Sequence, residues 1–232
     1  MSSRSRPFIF FDVGGTLLHF RPSLATVLAA SARALGVHVD PKLSDAAVRR
    51  AARSAGRGPH PIDVEENRRW WLTFFDEYLN GSGWAASDHV IESLWHEQQA
   101  GRWLTPDDDT IETIRALADA GHRLGIISNW DGTLEPILRR RRLWGFFEVV
   151  VSSTAAGVAK PDPAIFETAL SAAGIGPDEA VHVGDDPTAD VGGARGVGIR
   201  PVLLGRRRGV AMDPEIEVIA TLADLLALPD IG

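Results

Sequence analysis

Four short stretches hold most of the residues that can do ordered polar chemistry: "DVGGT" at 12 to 16, "SNWD" at 128 to 131, "GVAKPD" at 157 to 162 and "GDDPTAD" at 184 to 190. In that order they offer a carboxylate, a hydroxyl beside an amide, an ammonium and a carboxylate cluster. These are the parts needed to attack and hold a phosphoryl group. Asp12 can attack phosphorus and carry the group as an aspartyl-phosphate, which splits one hard step into two easier ones. Mg²⁺ takes hard oxygen ligands, commonly one or two carboxylates beside substrate phosphate, so Asp12 and Asp185 can hold one together. Ser128, with Asn129 beside it, and the backbone amides of Gly14 and Gly15 can donate to phosphate oxygens, and Lys160 can neutralise charge that grows in the transition state. Singly, each stretch has a plainer reading. Asp12 fits a turn, Ser128-Asn129 a simple loop and Lys160 a solvent-facing side chain, while Asp185 and Asp190 fit caps of a helix that begins at Pro187. What sets the set apart is its order and its placement.

The placement follows from the apolar runs. "FIFF" (8 to 11), "LGIIS" (124 to 128), "FEVVVS" (147 to 152), "AVHVG" (180 to 184) and "IRPVLL" (199 to 204) are short and apolar throughout, as strands covered on both faces are. Helical patterns at 108 to 121, 132 to 143, 162 to 174 and 187 to 198 alternate with the later runs, several opening at Asp, Thr or Pro and closing at Gly. Strand alternating with helix predicts an α/β fold, a doubly wound, Rossmann-like parallel sheet whose ligands bind beyond the carboxyl ends of its strands. Each of the four stretches follows a strand, so all four open on one edge. The tail "EVIATLADLLALPDIG" predicts a closing strand and helix.

Residues 21 to 100 break the alternation. They hold four helical patterns, near 22 to 35, 41 to 55, 63 to 80 and 87 to 100, separated by Pro/Gly-rich breaks, and no convincing strand. A four-helix insert over 21–100 is therefore expected within a core made of 1–20 and 101–232.

Composition narrows the function. The 232 residues, 44% hydrophobic, are ample for a buried core, and the absence of Cys excludes disulfides, thiolate catalysis and Cys-based zinc or iron-sulfur sites. A formal charge of −7 disfavours an extended nucleic-acid footprint, and the arginine runs at 139 to 142 and 206 to 208 read as a solvated helix end and a loop. No apolar run approaches a signal peptide or a membrane span, so a cytoplasmic protein with no membrane or nucleic-acid partner is expected.

Together, "FFDVGGTLL", "IISNWD", "GVAKPDPAIF" and "VHVGDDPTADVGGA" resemble the four motifs of the haloacid dehalogenase superfamily, in the branch whose helical cap is inserted just after the first motif. "ISNWD" with "WW" at 70 to 71 also resembles the rhythmically-expressed-protein-like branch. The resemblance implies a Mg²⁺-dependent phosphatase acting on a small phosphorylated metabolite. It makes Asp12 the nucleophile, Ser128 and Lys160 the phosphoryl holders, Asp185 and the Gly14 carbonyl the further metal ligands, and Asp186 and Asp190 their support.

One position departs from that pattern. Phosphatases of the superfamily usually carry a second Asp two residues after the nucleophile, as general acid and base, and here Gly14 stands there. A positioned acid or base is worth about 10² to 10⁴ in rate. His19, Asp131 and Asp186 are candidate replacements, as are water and the substrate itself. A member that binds phosphate or a partner but turns over poorly is one alternative. A metal-free haloacid dehalogenase is another, although the "GDD" cluster serves it little. A Schiff-base mechanism finds only Lys42 in the insert, beside Pro41 in an apparent turn. Substrate choice is expected in the insert, where Arg49, Arg50, Arg53, Arg68 and Arg69 face either an anion or solvent, and Trp70 and Trp71 either a ring or the insert's own core.

Overall fold

The computed structural model describes residues 6–56, 62–85, 87–205 and 213–231, with the backbone alone for Pro41 and Lys42. The expected loop at 206 to 208 lies outside the described residues. The chain divides into two compact units, one from Met1–Leu18 with Pro106–Gly232 and the other His19–Thr105.

The first unit is built on six parallel strands. In chain order these are β1 (Phe8–Phe11), β4 (Leu124–Ser128), β5 (Val149–Ser152), β6 (Ala180–Gly184), β7 (Arg200–Leu204) and β8 (Glu217–Ile219), laid out as β5-β4-β1-β6-β7-β8. The chain therefore builds outward from β1 first on one side and then on the other. That reversal opens a crevice at the end of β1. The register is continuous across it, with Ile9 beside Leu124 and Val181, and Phe11 beside Ile126 and Val183. Helices α5 (Thr110–Asp119), α6 (Leu134–Arg140), α7 (Ser153–Ala156), α8 (Pro163–Ala173) and α9 (Gly193–Gly196) make the crossings.

All four residues of β1 are buried, because both faces of the sheet are covered. Phe8 and Phe10 stack at 4.5 Å and pack with Ile165, Phe166 and Ala169 of α8. Burying each of these Phe and Ile side chains stabilises the fold by about 1.5–3 kcal/mol. The tail closes as expected in β8 and a 3₁₀ turn over Leu222–Ala227. His122 ties the two ends of the chain together, its ring nitrogens lying 2.9 Å from Pro7 O and 2.8 Å from Ile231 O.

The second unit holds α1 (Leu24–Ala34), α2 (Pro41–Ser54), α3 (Val64–Gly81) and α4 (Asp88–Gln99), each packed on the next, with α4 returning to α1. Pro41 and Lys42 open α2 rather than forming a turn. Ser23 caps α1, and Asp63 caps α3 by accepting from Glu66 N at 2.8 Å. Phe74, Phe75, Tyr78 and Leu94 form the interior. A two-residue antiparallel pair, β2 (His19–Phe20) with β3 (Leu104–Thr105), belongs to this unit and carries it a few residues beyond 21–100 on either side. Among the described residues no helix is long and apolar enough to cross a membrane.

Candidate active site at the ends of β1, β4 and β6

β1 lies between β4 and β6, so Asp12, Ser128 and Asp185 arrive at the ends of three adjacent strands. Asp12 continues the β1 ladder by donating its N–H to Val183 O at 2.9 Å. Its Oδ1 accepts from Ser128 Oγ at 2.9 Å and from Lys160 Nζ at 2.7 Å, in a site where all three residues are buried.

Lys160 reaches this centre from the segment between α7 and α8. Its ammonium places three hydrogens on three oxygens: Asp12 Oδ1, Ile127 O at 2.8 Å and Asp190 Oδ1 at 2.6 Å. Burial works against its charge, but Asp12 and Asp190 outweigh that and hold its pKa above the ordinary value. Asn129 anchors the segment by both ends of its amide, accepting from Lys160 N at 2.7 Å and donating to Lys160 O at 3.0 Å. The Asn129 side chain, expected on phosphate, is thus spent on holding Lys160 in place.

After β6 the chain enters a π-helical turn, Pro187–Gly192, in which Asp186 O accepts from both Asp190 N and Val191 N. Asp186 caps it, with Oδ1 accepting from Thr188 N and Ala189 N at 2.8 Å each. Asp190 lies in this turn, of a kind that recurs at functional sites, and is buried. There Asp190 Oδ1 takes Lys160 and also His182 Nε2 at 3.0 Å, while Oδ2 takes Asp186 N at 3.0 Å. Burial would raise the Asp190 pKa, yet Lys160 and His182 hold it well below the usual carboxylate range. His182 is itself fully buried, which pushes its pKa down despite the Asp190 carboxylate.

Asp12, Asp185 and Asp190 each bring a carboxylate oxygen within 4.8 Å of the others. Three carboxylates against one ammonium leave this cluster negative, and all its donors are hard oxygens. Asp185 gets this close because Gly15 has no side chain: a Cβ there would lie 2.6 Å from Asp185 Oδ2, and φ is +92°. The Gly15 N–H, expected on phosphate, goes instead to Leu18 O at 2.9 Å. Gly14 abuts the indole of Trp130, to which a Cβ on Gly14 would approach within 3.2 Å.

The three candidate proton carriers come from three different segments of the chain. Asp131 is buried and accepts from Thr133 N and Thr133 Oγ1, Asp186 is the cap just described, and His19 lies on β2 of the other unit. In the helical unit Trp70 stacks on Phe74 and Trp71 on Phe75, at 5.6 and 5.4 Å, so both join its core. Arg68 pairs with Glu92 and Arg50 with Glu77, while Arg49, Arg53 and Arg69 are exposed. At the end of α6, Arg139 pairs with Glu135 and lies over Trp144.

Three features were not read from the sequence: His182, the clamp that Asn129 makes on Lys160, and the contact of Trp130 with Gly14. His182 carries a faint signal, a lone His inside an apolar strand that ends in "GDD". The Asn129 clamp and the Trp130–Gly14 contact carry none, since each joins residues from different strand ends.

The profile of the haloacid dehalogenase-like hydrolases matches residues 8–198. The Xenopus laevis haloacid dehalogenase-like hydrolase domain-containing protein 3 is 35% identical over 204 residues, covering 84% of this chain and 83% of its own. The Drosophila melanogaster rhythmically expressed gene 2 protein is 26% identical over 223 residues, covering 88% and 85%. Among solved structures, a HAD phosphatase from Thermococcus onnurineus superposes with a TM-score of 0.63 at 27% identity, covering 95% of this chain and 96% of its own. Motif order, strand-end placement and match along most of the chain agree, and the protein belongs to the haloacid dehalogenase-like hydrolase family, in the rhythmically-expressed-like branch.

Proposed function

We propose that the chain hydrolyses small phosphomonoesters through Asp12, with Mg²⁺ as its cofactor. The observation that carries this reading is the buried contact of Asp12 Oδ1 with both Ser128 Oγ and Lys160 Nζ, next to Asp185. The likeness to the Thermococcus onnurineus HAD phosphatase supports it.

In this reading an Asp12 oxygen forms a bond to phosphorus as the ester P–O bond breaks, and the leaving oxygen departs with the bond pair as an anion that takes a proton from water after it has left. Water then cleaves the aspartyl-phosphate and releases inorganic phosphate. Ser128 and the Gly14 amide hold phosphoryl oxygens. Lys160 supplies one of its three hydrogens to them while Ile127 O and Asp190 keep it in place, and Asn129 acts through its hold on the Lys160 backbone. The oxygen-only, net negative cluster fits a divalent metal, which Asp12, Asp185 and the Gly14 carbonyl would hold. Asp190, with its oxygens taken by Lys160, His182 and Asp186 N, supports from behind. When bound, Mg²⁺ supplies neutralisation of the phosphate charge.

The bare Gly14 favours a second reading, a phosphate-binding member that turns over poorly. A panel of phosphate esters assayed with Mg²⁺, beside Asp12→Asn, separates the two. Release of phosphate from no ester by the wild type would reject the hydrolytic reading.

A further inference from the structure

We propose that Trp130 sets the leaving-group preference of this site: it crowds a side chain at position 14 and offers its indole as the wall on which a flat aromatic leaving group lies. Asp12 and Ser128 are joined by a 2.9 Å hydrogen bond between the ends of β1 and β4. Two residues beyond each partner the chain reaches Gly14 and Trp130, and these two meet, with a Cβ on Gly14 falling 3.2 Å from Trp130 Cζ3. The backbone does not itself require glycine there, because the left-handed φ of this turn belongs to Gly15 and not to Gly14. The indole is the neighbour that a side chain at position 14 would have to displace by a few tenths of an ångström.

Trp130 is hydrogen-bonded at both ends, through its indole N–H and through its carbonyl. Its Nε1–H donates to Thr133 Oγ1 at 3.1 Å, and Thr133 in turn donates to Asp131. Its carbonyl accepts from Ser153 Oγ and Thr154 N, each at 3.2 Å. The half-buried ring thus lies against Gly14, two residues along the chain from Asp12.

Two chemical consequences point the same way. With no side chain at position 14 no proton donor stands there, so the leaving oxygen departs with the bond pair as an anion, which favours an acidic aryl alcohol over an alkyl one. An aromatic leaving group also gains from stacking on the indole. The inference rests on the phosphomonoester reading and deepens it: the substrates it selects are aryl phosphate monoesters.

The contact can be tested without activity. Gly14→Ala should lower the melting temperature by about 2–4 °C in the wild-type background, and not at all in Trp130→Ala, where the added methyl has room. Equal effects in both backgrounds would overturn the steric half of the proposal. The preference is tested with 4-nitrophenyl phosphate and glycerol 1-phosphate in Mg²⁺. Trp130→Ala should raise KM for the aryl ester about tenfold, with Trp130→Leu as the substitute if alanine unfolds the chain. The Gly14→Asp/Trp130→Ala pair should raise kcat for glycerol 1-phosphate by more than the product of the single effects, up to about 10²-fold. An unchanged aryl KM, or strictly multiplicative effects, would overturn the assignment of Trp130. Loss of all turnover in the wild type would instead reject the hydrolytic reading, leaving the melting cycle to decide the contact.

Discussion

Lys160 Nζ lies 2.7 Å from Asp12 Oδ1 and 2.6 Å from Asp190 Oδ1, bridging the carboxylate that follows β1 and the one beneath it with a single buried charge. Desolvation offsets much of what such a pair contributes when intact, but removing one partner strands the others. Lys160→Ala should therefore destabilise the fold by about 3–5 kcal/mol, read by urea denaturation. A loss below about 1 kcal/mol would mean that water replaces the ammonium without penalty.

Acid should unfold the metal-free protein in two stages. The folded His182 pKa is pushed down by burial, so on the acid side of about 6.5 the unfolded chain binds a proton that the folded chain refuses, and stability falls with pH. Asp190 is held below the usual carboxylate range mainly by Lys160 against its burial, so its contribution is present above about pH 3.9 and is lost below it. Thermal melts between pH 7.5 and 5.5 should show a falling midpoint, and His182→Gln should flatten that slope. Parallel slopes in the two proteins would remove His182 as the cause.

Much of the fold was legible because its signals are local. β1, β4 and β6 fall on the apolar runs 8–11, 124–128 and 180–184, each bounded by proline or polar residues, and the four helices of the second unit lie between Pro/Gly breaks. The gathering of Asp12, Ser128, Lys160, Asp185 and Asp190 was legible as well, since loops that follow parallel strands open on one edge. What depends on contacts across space was not. The β2–β3 pair is two residues long on each side, too short for a periodic signal. The π-helical turn reads as ordinary helix, because one extra residue per turn leaves no mark on composition. Asn129 and Gly15 were assigned to phosphate from their place in the loops, but the side chain of the one and the N–H of the other are used by Lys160 and Leu18.

Gly15 is constrained twice, by φ of +92° and by Asp185 lying against it. Gly15→Ala should cost about 1–3 kcal/mol through backbone strain and push Asp185 away. In the folded variant, the rise in melting temperature on adding Mg²⁺ should be smaller than in the wild type. An undiminished rise would show that Asp185 need not approach Gly15 to hold metal.

Asp185→Ala should leave the circular dichroism spectrum native and greatly reduce Mg²⁺-dependent turnover. At about 100 times its Kd a ligand adds roughly 2.7 kcal/mol of stability, and most of that gain should be missing. Full activity of the wild type in excess chelator would remove the metal from the mechanism.

The proposed attack by Asp12 is tested most directly by turnover of 4-nitrophenyl phosphate by wild type and Asp12→Asn side by side, with matched melting curves and saturating Mg²⁺. The substitution keeps the shape of the side chain that meets Ser128 and Lys160 but removes its charge. The expected result is a folded variant whose kcat is lower by about 10³-fold or more. A folded Asp12→Asn protein that keeps the wild-type rate would contradict the assignment and leave a water molecule as the nucleophile.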